Sequence, residues 1–419
     1  MENNQKNIQE RFPVRGENQP LQQNNIRWLY LAIGTVLMLF AGIIYAWSIL
    51  KSPLAEAFSW ERPQLALSFT LTMCFFCLGG MAGGLVNRRF GVRLSLILAA
   101  ILAGAGFVLT SRLGGESVGK LYVSYGFLAG GGIGIAYNVN LSTIGAWFPD
   151  KKGLCSGVLM MGFGASALIL GSLAEKMISS PSVGWRNAFL IIGIALCVVL
   201  LVSAFILRVP NTSAAPKGNN AAASTNRDYT TSEMVRTSSF WRAFVCLIFL
   251  SAAGSTVISF ARDLVLSVGA EISLATTLVG LLSVCNGLGR ITTGAFFDKF
   301  GRRKTMLIAN AVTILAAGVT LLAVIFTSLP LCIMGLCATG FSYGSCPTIS
   351  SVFTSEFFGT KYYAVNFSVM NFNLMCASFI AALGSVLLAS SGGYVAPFVL
   401  LLVLASIAMV LNISIRDPK

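Results

Sequence analysis

Residues 294–304 read Gly294-Ala-Phe-Phe-Asp298-Lys-Phe-Gly301-Arg302-Arg303-Lys304, and 210 residues earlier the chain reads Gly84-Leu-Val-Asn-Arg88-Arg-Phe-Gly91-Val-Arg93. Each copy joins two long apolar runs. The same offset relates Phe148-Pro-Asp-Lys151 to Phe358-Gly-Thr-Lys361. The offset is half of the 419-residue chain, so the sequence is built from two parallel repeats.

Composition says in what medium the repeats fold. Hydrophobic residues make up 55% of the chain and charged ones only 11%, against roughly 25% in soluble domains. The mean hydropathy is +0.78. A soluble fold would lack surface polarity at this composition, and a disordered chain would not be so apolar. The expected class is an all-α membrane protein. A membrane-crossing helix needs about 20 apolar residues, and twelve such runs occur: 28–50, 64–87, 94–111, 121–146, 154–174, 187–207, 240–260, 273–297, 305–326, 331–353, 363–388 and 393–415. Residues 208–239 are polar, with Pro210, Pro216 and Gly218, and divide the spans six and six. The expected organisation is a disordered tail over 1–27, a six-helix bundle over 28–207, a linker over 208–239, a second bundle over 240–415 and a short tail over 416–419. No leader is expected ahead of the first span.

The charge balance fixes an orientation. There are 29 Lys and Arg against 15 Asp and Glu, a formal +14. With both termini cytoplasmic, 21 cations fall in inner segments and 7 in outer ones. That asymmetry predicts the topology and accounts for the basic pI without nucleic acid. The chain has no histidine, which excludes a Ser-His-Asp triad, a His metal ligand and a His proton relay. Cys74-x-x-Cys77 has a redox-like spacing but lies in an apolar run with no second ligand pair, so no disulfide, metal or cofactor is expected.

One cation is left over. Arg290 lies eight residues before Asp298, hence about 12 Å into a ~30 Å core. An intramembrane Arg costs at least ~2.5–3.5 kcal/mol on insertion scales. No Asp or Glu falls inside any span, so its partner must be a solvated cavity or something that arrives. A planar guanidinium matches a carboxylate bidentately, and a substrate carboxylate is one reading. The other is packing, with the Arg held by backbone carbonyls or Asn side chains. Asn286 stands one turn earlier on the same face. The glycine groups Gly79 to Gly84, Gly130 to Gly134, and Gly157, Gly162 and Gly164 are read as small-residue faces where helices approach closely.

These motifs carry a resemblance. Gly-x-x-x-Asp-x-x-Gly-Arg-Arg/Lys between the second and third helices of each half resembles the signature loop of the major facilitator superfamily. The copy with Gly294, Asp298, Gly301 and Arg302 is complete. The copy with Gly84 and Gly91 has Arg88 where the family has Asp, so a charge-paired latch between the halves is not expected there. Gly42-Ile-Ile-Tyr45-Ala-Trp47-Ser48, the run ending at Tyr137, Trp147 to Gly157, Asn286-Gly-Leu-Gly-Arg290 and Glu356-Phe-Phe-Gly359 are similar to the oxalate:formate antiporter family and, more distantly, to monocarboxylate transporters.

The resemblance implies twelve helices in two pseudo-symmetric six-helix bundles that rock about a midplane site, with Arg290 as the carboxylate ligand. It also implies that Tyr45, Tyr137 and Tyr343 line the pocket, each equally readable as packing. Asn371, Asn373, Asn138 and Asn140 are further polar candidates, equally readable as stitches between helices. Where the antiporter family has a second cation, a Lys in the eleventh helix, Leu374 stands here. Ile44 and Pro347 replace polar or aromatic family residues. Where many monocarboxylate transporters have an Asp, Asn286 cannot titrate. One fixed cation balances one carboxylate, so a short monocarboxylate of the lactate, pyruvate or formate type is expected over oxalate. Exchange, symport and uniport stay open, as does a carboxylate receptor that does not translocate. The expected partners are that small carboxylate and the lipid bilayer, with the protein a monomer in the cell (inner) membrane.

Overall fold

The computed structural model describes residues 19–115, 117–210 and 227–416. Most of the expected N-terminal tail, the middle of the linker (211–226) and residues 417–419 lie outside the described residues. All regular structure among the described residues is helical. The first crossing is α1 (Gln19–Ala41), a 3-10 turn over Gly42–Ala46 and α2 (Trp47–Leu50). Helix α1 therefore begins inside the stretch expected to be a disordered tail. A short α3 (Ser52–Phe58) leads to α4 (Arg62–Ser111), which carries the second and third crossings. The fourth is α5 (Val118–Leu121), a π-helical stretch over Tyr122–Ala129 and α6 (Gly130–Gly145); α7 (Lys152–Ser179) and α8 (Gly184–Ile206) complete the first half.

The second half repeats the plan. After a one-turn α9 (Thr231–Val235) come α10 (Ser238–Ser267), α11 (Ile272–Ile325) with two crossings, α12 (Leu329–Phe357), α13 (Tyr363–Ser391) and α14 (Val395–Ile413). The two signature loops are not loops. Each is a break inside a long helix, at Gly91 (φ +80°) and Gly301 (φ +73°). This is left-handed backbone that only glycine adopts without strain, so each glycine reverses the chain while the helix continues on both sides.

Packing follows composition. With lipid as apolar as leucine, helices associate through close approach. A Cβ at Gly42 would lie 2.1 Å from the Phe163 carbonyl oxygen, so α7 presses on the first crossing where it tightens to 3-10. The first half has one continuous core, which also takes in Tyr363 and Phe367 of α13. The halves meet chiefly where α7 packs on α11 and α12, and where α13 packs on α4 and α6.

The last part of the expected linker is a docked strap. Thr230 and Glu233 form a capping box on α9. Tyr229 donates its N–H to the Phe358 carbonyl, and Asn366 bonds both Tyr229 and Thr231. Asp228 accepts the N–H groups of Thr360 and Lys361 at 3.1 and 3.2 Å.

Candidate functional site

The site begins with the spacing Asn286 to Arg290, one helical turn on α11. Arg290 Nε donates to Asn286 Oδ1 at 3.0 Å, and Nη1 donates to the Met160 carbonyl of α7. Arg290 is 3% exposed. Of the two readings the sequence left open, a guanidinium awaiting an arriving partner and one held by backbone carbonyls or Asn side chains, the contacts present are of the second kind: an amide and a carbonyl hold it. A backbone carbonyl has two lone pairs, so it can accept beyond its helical bond, and its dipole is a partial counter-charge in a low-dielectric interior. No hydrogen bond links Nη2 to any described residue. Because Met160 lies in the first half and Arg290 in the second, this bond joins the halves.

Glycines make room for it. A Cβ at Gly164 would sit 2.9 Å from the guanidinium carbon and 3.1 and 3.2 Å from its terminal nitrogens. The guanidinium thus lies against bare backbone of α7. A Cβ at Gly157 would meet the Arg290 carbonyl at 2.5 Å, and one at Gly344 would meet the Asn286 carbonyl at 2.0 Å. Thr348 donates to the Arg290 carbonyl at 3.2 Å. Gly164 is the site residue that sequence reasoning passed over: it was read only as part of a packing face. Its spacing from Gly157, two turns apart on one face, was the available signal.

The tyrosines gather around this cation. Tyr45 and Tyr137 pack edge-on against Phe163 at 5.1 and 5.0 Å. Tyr137 shares a small void with Asn371 of α13, and Tyr45, Tyr137 and Tyr343 lie within electrostatic reach of Arg290. Tyr343 is wedged against Gly254 of α10, where a Cβ would meet its ring at 2.4 Å. Of the six expected binding residues, Arg290, Tyr137 and Asn371 make contacts across the halves, while Tyr45 packs within the first half and Asn286 and Tyr343 within the second. Asn371 Oδ1 is buried without a partner and borders a void of about 10 Å³ lined also by Tyr137 and Asn138. That is at most one water. The other asparagines act as stitches: Asn138 donates to Ala364 and Ser368, Asn140 donates to Gly34, and Asn373 accepts from Ser251 of α10 at 3.4 Å.

Toward the end of the bundle that carries both signature breaks, here the basic face, the complete copy forms a clasp. Asp298 accepts the N–H groups of Gly153 and Leu154 at 2.8 Å each. These are orphan donors at the start of α7, where the helix end also favours negative charge. A Cβ on Gly294 or Gly153 would lie 2.1 Å from the other's carbonyl, so two glycines let the carboxylate reach. The incomplete copy does something else: Arg88 lies over the Tyr362 ring at 4.7 Å. Arg302 lies over Phe357 at 4.7 Å. Among the described residues there is no cluster of three or more His, Cys, Asp or Glu that could hold a metal.

Two repeated six-helix halves, closed on a buried cation through backbone and amide contacts, have the architecture of a multi-pass membrane transporter and not of an enzyme. The chain belongs to the Major Facilitator Superfamily, whose family model matches residues 31–382 and 243–419. It is 29% identical over 306 residues to the oxalate:formate antiporter of Oxalobacter formigenes, covering 72% of this chain and 71% of that one. It is 25% identical over 327 residues to monocarboxylate transporter 12 of Homo sapiens, covering 71% of this chain and 62% of that protein. The fold matches that of the proton:xylose symporter XylE with a TM-score of 0.71 at 15% identity, over 96% of this chain and 97% of that one. The twelve-helix, two-bundle architecture expected from the repeats is the architecture of this family.

Proposed function

We propose that this transporter moves small organic anions, foremost short monocarboxylates of the lactate, pyruvate or formate type, across the cell membrane by alternating access. Both termini, and the basic face, lie in the cytoplasm, and the protein acts as a monomer. Arg290 receives the carboxylate. The observation that carries the reading is the pairing of Arg290 with a carbonyl of the opposite half. A carboxylate is a stronger acceptor for a guanidinium than a carbonyl is. An arriving carboxylate would therefore take Nη1 and Nη2 together and release Met160. Binding and separation of the halves become one event, which is what alternating access requires. The tight packing around Tyr137 and Asn371 means that room for the anion comes from that movement.

The names of the relatives support a carboxylate substrate, and Leu374 in place of a second cation favours one negative charge over two. An oxalate:formate exchange is the second reading, favoured only by the similarity to that antiporter. Counterflow in proteoliposomes, with labelled lactate, pyruvate, formate and oxalate and with or without a pH gradient, tests it. Faster monocarboxylate than oxalate counterflow is expected. Oxalate matching or exceeding the monocarboxylates overturns the substrate preference, and binding without counterflow identifies a receptor.

A further inference from the structure

A cavity of about 350 Å³, whose lining does not include Arg290, opens at the basic face between the halves. Arg88 and Lys152 line it from the first half and Lys361 from the second; none of its lining residues is acidic. Hydroxyls complete it: Thr143, Ser351, Ser355 and Thr360 also line the wall. Thr143 is 2% exposed, and its Oγ1 has no hydrogen-bond partner. A buried hydroxyl left unmatched costs about 1–3 kcal/mol, so the wall is incomplete as it stands. Three carboxylates lie nearby, outside the lining. Asp298 is spent on α7, Asp228 accepts the amides of Thr360 and Lys361, and Glu356 shares the fields of Lys152 and Arg302.

Pseudo-symmetry says what is missing. In the complete copy a carboxylate bonds Leu154 N; the residue 210 positions later is Ala364, at the start of α13 and on the cavity wall. No described residue accepts the Ala364 N–H, because Arg88 stands where the carboxylate would be.

We propose that this cavity is a binding site for a phosphate-type dianion, which bridges Arg88, Lys152 and Lys361 and so supplies from solution the clasp that the first half lacks. Three cations from both halves suit two negative charges. The unpartnered hydroxyl of Thr143, with Thr360 beside it on the wall, suits a tetrahedral group with many acceptor oxygens. Occupation would hold the basic face closed and slow the opening of the transporter on that side.

The test is thermal unfolding of the full chain in phosphatidylcholine nanodiscs, titrated with inorganic phosphate at constant ionic strength. A saturable rise in the midpoint is expected. In Arg88→Gln the phosphate concentration giving half the rise should be about tenfold higher or more, a loss of one charge-assisted contact. Thr143→Val tests the wall without changing charge and should weaken the response less. Arg88→Asp should raise the midpoint without phosphate and abolish the response, because it restores the built-in clasp. Nanodiscs with phosphatidic acid and no free phosphate separate the sources: a midpoint raised there, and lost in Arg88→Gln, assigns the same chemistry to a lipid headgroup. An equal rise with chloride or lactate, or an unchanged response in Arg88→Gln and Thr143→Val, overturns the proposal. Both faces are accessible in a nanodisc, and repeating the titration in Arg290→Ala separates this site from the carboxylate reading: that reading can fail while the phosphate response survives.

Discussion

Helices α4 and α11 are copies of each other, and they differ at the positions that matter. At the offset of 210 residues, α11 carries Asn286, Arg290 and Asp298 where α4 carries Phe76, Gly80 and Arg88. Both keep the glycine break, at Gly301 and Gly91. Geometry is thus shared and chemistry is not. The second half supplies the cation and the carboxylate; the first half answers with backbone, through the Met160 carbonyl and the Gly153 and Leu154 amides. A backbone partner is always present and never titrates, so the charged half can move against it without meeting a competing side chain. The lesson is that duplication fixed how the halves approach, and divergence fixed which half carries the binding charge.

The comparison can be broken most severely at Gly164. A leucine there would drive its Cβ into the guanidinium. Carboxylate counterflow should fall about 100-fold, the scale of misplacing a binding group by an ångström, while the inserted protein keeps its helical circular dichroism. Breaking the clasp comes next. Asp298→Ala removes two charge-assisted bonds worth ~1.5–3 kcal/mol. Cysteine labelling at the basic face should rise about 10- to 100-fold in accessibility at that scale. Arg88→Asp sharpens the comparison by making the copies alike; labelling there should fall, by the smaller factor of about 5 to 30 for one new interaction of ~1–2 kcal/mol.

The smallest effect concerns α9. Hydrogen bonds from the Thr230 N–H and hydroxyl, with Arg227 beside it, hold the Glu233 carboxyl below its ordinary range. A lowered folded-state value means stabilisation present above the unfolded value and lost as pH falls through the folded one. Protection of the Thr230 and Glu233 amides, measured against the intrinsic exchange rate at each pH, should therefore fall on acidification. Glu233→Gln should show low protection at every pH.

The repeats, the apolar runs and the lone Arg290 were legible because each is a statement about a single chain in lipid. The boundary between tail and first helix was missed because Gln19 to Asn25 are polar apart from Pro20 and Leu21, and hydropathy does not detect a helix that projects beyond the apolar layer. The capping box Thr230 to Glu233 was readable in the linker, but its docking on Phe358 and Asn366 is a tertiary contact. The kinds of partner that hold Arg290, an Asn amide and a backbone carbonyl, were among the readings of the sequence, but which carbonyl was not: every residue has one, and only the packing of α7 on α11 brings that of Met160 to it. Gly164 was hidden similarly, since a missing side chain marks both a packing face and a seat for a guanidinium.

The central claim is that Arg290 exchanges a carbonyl of the opposite half for the substrate's carboxylate. Counterflow of a labelled short monocarboxylate by Arg290→Ala and Arg290→Lys, in protein shown to be correctly inserted, tests it most directly. Truncating one member of a buried charged pair predicts a loss of about 100-fold or more for Arg290→Ala. For Arg290→Lys, which keeps the charge but not the planar fork, a partial and still large loss is predicted. Wild-type counterflow in both variants would contradict the account and leave Arg290 as a packing residue.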